Sequence, residues 1–365
     1  MNNVCISCKN KELFKIKLFT QCMISDGKII SSALGKIFCK KCGLGFGINK
    51  FKLSNYNRSD GSSKFELKRH TNIAKSIYEI ITENQNKTSF ILEIGAANFE
   101  TSYRLSLLNQ NFKVHALEPH PEKQNEFKNI HHIKSNFFDY KTDLKYDVVF
   151  SNNVIEHIRD IKKFLKKSAN ILDENGIIIV CCPSFLNIST ELLFADHIWH
   201  ITSLSMENLC NQTNLYLNKN FISSWDKLTH VYLIKRGILL SKEKINFNKL
   251  INIKRQNFYK IWNEADTKVS KLITKRNFVI FGAGEFTQLI KVYMPKTFKL
   301  TKYILVTHDS GNRYFDKPII NIDKFNYCEE STQILMGVKK SDRSKVIKLL
   351  KSYGIKESSI LNTLI

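Results

Sequence analysis

The sequence predicts an α/β protein: a mostly parallel sheet covered by helices on both faces, with a cysteine-rich head before it and a small second α/β unit after it. Three observations predict this. Apolar segments bounded by turn residues alternate with helical periodicity from about residue 67 to about residue 240. Five of the nine cysteines fall within the first 57 residues. A second strand–glycine turn–helix pattern opens at Asn277. At 365 residues the chain is too long for one ordinary core, so more than one domain is expected.

The elements follow in order. Ser54 to Lys64 is polar and reads as a linker. Leu67 to Glu83 carries helical spacing, and Phe90 to Ile94 reads as a strand ending in the small-residue turn Gly95-Ala96-Ala97. A helix is expected from there to about Leu108. Further strands are expected at Val114–Leu117, Tyr146–Phe150 and Gly176–Cys182, with a helix over Asp160–Leu172. His230–Ile234 reads as an antiparallel edge strand closing the sheet. Ser241 to about Lys275 is helical and polar, a connector. The last unit starts with Asn277–Gly284, and its later strands are expected at Tyr303–Val306, Gln333–Gly337 and Ser359–Leu361. The expected domains are thus 1–60, 65–240, 241–275 (the connector) and 276–365.

Composition narrows the function classes. No apolar run reaches the ~18–20 residues that span a bilayer, and charges and cysteines interrupt the N-terminus before a signal-peptide core forms. A cytoplasmic location is expected, where cysteines serve as metal ligands, catalytic groups or buried apolar side chains before disulfides. The net charge is +23, from 56 Lys and Arg against 33 Asp and Glu. That field favours anionic partners. No dense lysine arm and no Arg/aromatic-rich segment accompanies it, which argues against a nucleic-acid partner.

Two features carry chemistry. Cys5-x2-Cys8 and Cys39-x2-Cys42 are knuckles 30 residues apart, each placing two thiols on one tight turn. Together they supply the four sulfurs of a closed, structural zinc site. In the sheet region, the glycine at the end of the Phe90–Ile94 strand lets backbone pass close to a ligand. Twenty-three residues past Gly95, at the end of the next strand, Glu118 is placed to accept both hydroxyls of an adenosine ribose. Asn136-Phe137-Phe138-Asp139 stands where a third strand would end and could frame an adenine. Asn152-Asn153-Val154-Ile155-Glu156-His157-Ile158 follows the fourth.

The ordered set LEIGAANFE, ALEP, SNFFDY, YDVVFSNNVIEHI and LDENGIIIVCCP resembles the class I S-adenosylmethionine-dependent methyltransferases over roughly residues 70–240. The resemblance implies a Rossmann-like methyltransferase sheet and S-adenosylmethionine as cofactor. It places Gly95 and Ala97 along the methionine part, Glu118 on the ribose and Phe137 or its neighbours on the adenine. Glu93, Asn136 and Asn152 complete the expected cofactor-binding set. Ala97 replaces the family's second glycine and Phe99 the third, so a narrowed site or altered affinity is expected. The same loop lacks the full GxGxxG nest that a dinucleotide pyrophosphate requires.

With the four-cysteine head and a C-terminal unit opening VIFGAGEFT, the chain also resembles the three-domain sugar C-methyltransferases. These act on nucleotide-activated deoxysugars, so an anionic nucleotide-sugar acceptor is implied. The family's Tyr/His/Glu/His cluster corresponds here to His197, Ile198, Trp199 and His200, so its polar character is only partly kept. C-, O- and N-methylation all stay open. Methyl transfer needs one proton removed from the acceptor, and histidine suits that role at neutral pH. Asp196, His197 and His200 are the expected catalytic residues, with His200 as base and His197 as its partner or a substrate ligand. An RNA methyltransferase with a zinc-ribbon head and a non-catalytic binding protein of the same fold are the alternatives. In the C-terminal unit, Glu285 follows the Gly282-Ala283-Gly284 turn and would repel a phosphate, so that unit reads as a lid or platform.

Overall fold

The computed structural model describes residues 4–49, 64–87, 89–120, 127, 129–238, 248–307 and 315–361. The linker expected at Ser54–Lys64 lies outside the described residues up to its last position, which starts a helix. Contacts divide the chain into two units. The first comprises Met1–Ile16, Lys36–Leu192 and Asp196–Ile253; the second comprises Lys17–Gly35, Leu193–Ala195 and Lys254–Ile365.

The first unit is built on a seven-stranded sheet. Its strands are β1 (Phe90–Ile94), β2 (Lys113–Leu117), β3 (Ile130–Ile133), β4 (Tyr146–Asn152), β5 (Leu172–Pro183), β6 (Leu215–Ile222) and β7 (Thr229–Arg236). They lie in the order β6-β7-β5-β4-β1-β2-β3. β5, β4, β1, β2 and β3 are parallel to their neighbours, and β7 runs antiparallel to β5 and to β6. Both faces are buried, and the side-chain alternation of the strands divides them between two cores. Ile177, Ile179 and Cys181 of β5 enter one core with Ile91, Val148 and Phe150. Ile178, Val180 and Cys182 enter the other with Leu92 and Val149.

Four helices cover these cores: α1 (Lys64–Asn84), α2 (Glu100–Leu108), α3 (Ile161–Ile171) and α4 (Ser203–Asn211). α1 presents Ile73, Ile77, Ile80 and Ile81, a helical stripe, to the first core. α3 and α4 supply Phe164, Leu165, Met206 and Leu209 to the second. Asp160 caps α3 by accepting from the Lys163 N–H at 2.9 Å. Cys5, Cys39, Cys42 and Leu44 of the head are buried in that second core as well. The head's short strands Leu13–Leu18, Leu34–Cys39 and Gly45–Gly47 continue into Trp199–His200, which completes a four-stranded sheet.

One strand differs from expectation. His230–Ile234 belongs to β7, which lies between β5 and β6 and is therefore interior, not the edge. The edge is β6, LYLNKNFI, whose outer half is exposed. An edge strand needs little apolar pattern, so its Asn and Lys residues conceal it.

The second unit has a four-stranded parallel sheet: β8 (Asn277–Phe281), β9 (Tyr303–Val306), β10 (Ile319–Asn321) and β11 (Thr332–Met336), in the order β10-β9-β8-β11. The strand expected at Ser359–Leu361 is instead a single turn, Glu357–Ser359, and one bridge from Ile360 to Ile334. The helical connector is a helix over Asn248–Leu272. Lys17–Gly35, expected with the N-terminal head, packs within this unit: Met23 N–H donates to the Tyr293 hydroxyl at 3.2 Å, and Met23 C=O accepts from Ala195 N–H at 2.8 Å.

Gly45 marks where the head sheet is tightest. A Cβ there would lie 2.4 Å from the Phe38 ring and 3.0 Å from His200 Cβ. Phe38 is fully buried and has no room to yield. Gly45→Ala is expected to cost about 1–3 kcal/mol, seen as a lower denaturant midpoint by circular dichroism. An unchanged midpoint would contradict the tight packing.

Candidate functional site

The carboxyl ends of β1, β2 and β4 enclose a cleft of about 280 Å³ lined by Gly95, Ala97, Glu118, Asn136, Phe137 and His157, among others. Its floor is the β1 turn. Gly95 and Ala96 N–H groups both donate to Leu117 C=O, at 2.8 and 3.2 Å, which stitches the loop to the end of β2. Gly95 has φ +73°, and a Cβ would stand 2.5 Å from Val154 Cγ2. Glycine is therefore required there on both counts. Ala97 and Phe99 also adopt positive φ, +49° and +64°. The loop thus keeps a left-handed backbone at these positions without glycine, at roughly 1 kcal/mol each.

Phe99 does not narrow the cleft, contrary to expectation. Its ring is buried in the α1 core, edge-on to His132 at 4.3 Å. Ala97 does line the cleft, and its N–H donates to Glu118 Oε2 at 3.0 Å. The other Glu118 oxygen accepts from His120 N–H at 3.1 Å. Two backbone donors thus fix the Glu118 carboxylate at the wall of the cleft.

The other expected cofactor residues divide. Asn136 turns the chain after β3, its side chain accepting from Phe138 N–H at 2.9 Å. Phe137 packs on Phe164 with ring centroids 5.3 Å apart, and both Asn136 and Phe137 line the cleft. Asn152 and Glu93 do not. Asn153, at φ +54°, and Val154 take the place expected of Asn152. The signal was one residue away, in the same Asn-Asn-Val run. Glu93 is buried behind the loop and accepts from the Ser102 hydroxyl. Burial pushes its carboxyl up to about 7; Ser102 opposes this and Glu118 adds to it.

A second group of polar side chains lies along the segment after β5. His157, in the short turn Ile155–His157, lines the cleft. Its Nδ1 donates to Asp196 C=O at 3.1 Å and lies 3.4 Å from Asp196 Oδ2. His197 stands edge-on to it, 4.9 Å between ring centres. Glu191 Oε2 contacts His197 Nδ1 at 3.4 Å and His200 Nδ1 at 2.8 Å. Burial opposes the Glu191 charge, but His200 and His197 hold its carboxyl well below the usual range. For His197, burial favours the neutral form, and its hydrogen bond to Glu191 with the charges of Asp196 and Glu156 outweighs this and raises the pKa.

The structure therefore brings Asp196, His197 and His200 together, but none of them is among the residues lining the cleft. His200 is turned away from the cleft, with 1% of its side chain exposed, between Glu191 and the Phe38 ring. His157 meets the cleft in its place. Glu191 was not expected at all: it sits in the turn Thr190–Leu193 with no local motif.

The segment itself is held residue by residue. Ile198 N–H donates to Glu156 C=O at 2.7 Å, and Ile198 C=O accepts from Gly47 N–H at 2.7 Å. The buried Lys36 ammonium donates to His197 C=O at 2.7 Å. Trp199 Nε1 donates to Ile158 C=O at 2.6 Å. Thr202 caps α4 reciprocally with Ser205 and donates its hydroxyl to Cys42 C=O.

That last bond reaches the four cysteines. Cys5 and Cys42 sulfurs lie 3.5 Å apart, as do those of Cys8 and Cys39. All four sulfurs converge within 4.8 Å. Cys42 N–H and the Asn10 amide both point at the Cys39 sulfur, at 3.5 and 3.8 Å. The four thiols cannot all ionise unaided. Hydrogen bonds from Cys42 and Cys5 hold Cys39 down as the thiolate, while its hydrogen bond to Cys39 is foremost in pushing Cys5 up to about 12.

Residues 65–220 match the family model of a methyltransferase domain. That span holds the cleft and the histidine–carboxylate cluster beside it, but not the cysteine head. No curated protein matches the chain. Among solved structures, it is similar to the mitomycin 7-O-methyltransferase, at 11% identity and a TM-score of 0.39 over 47% of this chain and 54% of that one. It is also similar to an S-adenosylmethionine-dependent methyltransferase from Clostridium acetobutylicum, at 14% identity and 0.39 over 46% and 92%. A third is the plantazolicin methyltransferase bound to SAH, at 15% identity and 0.37 over 47% and 84%. The chain spans about half the length of the first of these. Among the described residues, no helix is long and apolar enough to cross a membrane.

Glu93 offers a pH test. Its folded pKa, about 7, lies above the ordinary 4.5. The neutral acid therefore contributes stability that is fully present below about pH 4.5 and lost as pH rises through about 7. Glu93→Gln keeps an acceptor for Ser102 and removes that loss. The variant is expected to gain up to about 3 kcal/mol over the parent at pH 8 and little at pH 4.5. Parallel stability curves across that range would reject the assignment.

Proposed function

We propose that the enzyme transfers a methyl group from S-adenosylmethionine to a small-molecule acceptor, with a nucleotide-activated sugar or a related glycan precursor as the favoured class. The observation that carries the cofactor reading is the Glu118 carboxylate, oriented by Ala97 and His120 N–H groups at the mouth of a glycine-floored cleft. The sugar reading is supported by the resemblance to three-domain sugar C-methyltransferases and by the excess of basic residues.

In this reading Gly95 and Ala97 admit the methionine end, Glu118 holds the ribose, and Asn136 and Phe137 frame the adenine. The bound sulfonium supplies an activated methyl, so the protein's task is to place the acceptor in line and draw off one proton. We assign acceptor activation to His157, the member of the histidine–carboxylate cluster that lines the cleft. Asp196 orients it; His197, Glu191 and His200 stand behind it and hold the arrangement. His200, expected as the base, becomes a positioning residue.

Calorimetry with S-adenosylmethionine, followed by turnover on nucleotide-sugars, tests this. Wild type is expected to bind the cofactor at micromolar concentrations, and Glu118→Ala to lose at least about tenfold in affinity, one charge-assisted hydrogen bond or more. His157→Ala is expected to keep cofactor affinity within a few-fold and lose about 10²–10⁴ in kcat. Unchanged binding in Glu118→Ala, or full turnover in His157→Ala, would remove those roles.

We also propose that Cys5, Cys8, Cys39 and Cys42 hold a structural zinc ion. The four sulfurs are placed close to the ~3.8 Å spacing of a tetrahedral thiolate site, and the donor set suits zinc. Zinc would supply the charge that lets all four thiols ionise. Chelation at neutral pH is expected to release one equivalent of zinc and lower the thermal midpoint. A chain with no bound metal and an unchanged midpoint after chelation would contradict the site.

A further inference from the structure

We propose that Glu156, His157 and His197 form a second metal site, separate from the four cysteines, that holds a divalent transition-metal ion on the wall of the cofactor cleft. The ligand atoms of these three side chains lie within 4.8 Å of one another. Two imidazoles and one carboxylate are a donor set that takes zinc, iron(II), cobalt(II) or manganese(II) and leaves coordination positions open.

The second coordination sphere is already in place. A histidine that binds a metal through one nitrogen commonly gives the other N–H to a carboxylate or a carbonyl. His157 Nδ1 faces the Asp196 carbonyl at 3.1 Å and its carboxylate at 3.4 Å. A carbonyl oxygen only accepts, so Nδ1 carries the proton and the lone pair of the neutral ring is on Nε2. His197 Nδ1 faces Glu191 Oε2 in the same way, at 3.4 Å. The Asp196 carbonyl and the Glu191 carboxylate thus set the tautomers of two histidines whose rings meet edge to face.

Charge points the same way. Glu156 and Asp196 are buried to 1% and 0% exposure, and the Glu191 carboxylate lies 3.4 Å from His197 Nδ1. Buried carboxylates keep their charge only beside compensating cations. Lys36, itself buried, donates at the His197 carbonyl. A divalent ion among Glu156, His157 and His197 would add positive charge beside these carboxylates and tie the segment 196–200 to the turn after β4.

The ion's role rests on the methyl-transfer reading. His157 lines the cleft, so an open coordination position beside it would face the acceptor. An acceptor bound there would present an oxygen, a hydroxyl or a ketone; with the His157 Nε2 lone pair taken up by the metal, activation would pass from the ring to the cation, which would lower the cost of the acceptor's losing a proton. The site therefore favours an oxygen-bearing acceptor over an amine.

Cobalt(II) loading of the full chain after dialysis against chelator is the test, read by metal analysis and visible absorption. Thiolate sites show intense sulfur charge-transfer bands, whereas a nitrogen–oxygen site shows only weak d–d bands. Wild type is expected to take two equivalents, one of each kind. Glu156→Gln and His197→Asn are expected to take one, with the thiolate bands intact. A single equivalent in wild type with thiolate bands alone overturns the proposal, whatever the variants do. Two equivalents persisting in both variants would also overturn it. S-adenosylmethionine binding is measured on the same samples: two bound cations without cofactor binding would leave the metal site standing and remove the methyl-transfer reading instead.

Discussion

The two-residue pairing of Trp199–His200 with Gly45–Phe46 is the constraint on which the site depends. It fastens the segment after β5 to the head, and the head's second knuckle is fastened in turn to α4 through Thr202. The close approach is possible because Gly45 has no side chain between Phe38 and His200. Much of the histidine–carboxylate cluster is placed by this joint. Asp196 and His197 are carried by the paired segment, and His157 and Glu156 are met by it through the Ile198 and Trp199 bonds.

This arrangement explains why a cysteine head accompanies the catalytic sheet. The knuckles are not a separate bead on the chain: Cys5, Cys39 and Cys42 are part of the same core as Val149, Ile178 and Met206. Their order is transmitted to the cluster by backbone hydrogen bonds, which have little latitude in length or direction. The loss of knuckle geometry would therefore reach the histidines before it reached the sheet.

The cleft obeys a different logic. Its shape is set by the β1 turn, where Gly95 makes room for Val154 and two other residues accept the left-handed backbone without being glycine. The strain at Ala97 and Phe99 is met by what surrounds them. Ala97 gives its N–H to Glu118, and Phe99 buries its ring against His132. The loop thus holds a left-handed backbone at two non-glycine residues, with the Phe99 ring taken up on the core side and Ala97 left at the cleft.

Much of this was legible in the sequence. The central strands and helices were, because continuous apolar runs such as GIIIVCC and helical stripes such as Ile73–Ile81 answer directly to burial, the runs on two faces and the stripes on one. So were the placement of Gly95 and Glu118 at strand ends beside one cleft and the convergence of the four cysteines, whose spacing reflects local turn geometry. The edge strand β6, the placement of Lys17–Gly35 in the second unit and the short strand β10 were not, since each is stabilised by partners distant in the chain. The catalytic cluster divides along the same line. Sequence proximity singled out Asp196, His197 and His200, but proximity says nothing about which side chain faces a cleft. Only tertiary contacts decided that His200 turns into the head, that His157 lines the cleft and that Glu191 joins them. Those choices belong to pairings between β4, β5 and the head, and no local pattern encodes a contact that depends on three segments meeting at once.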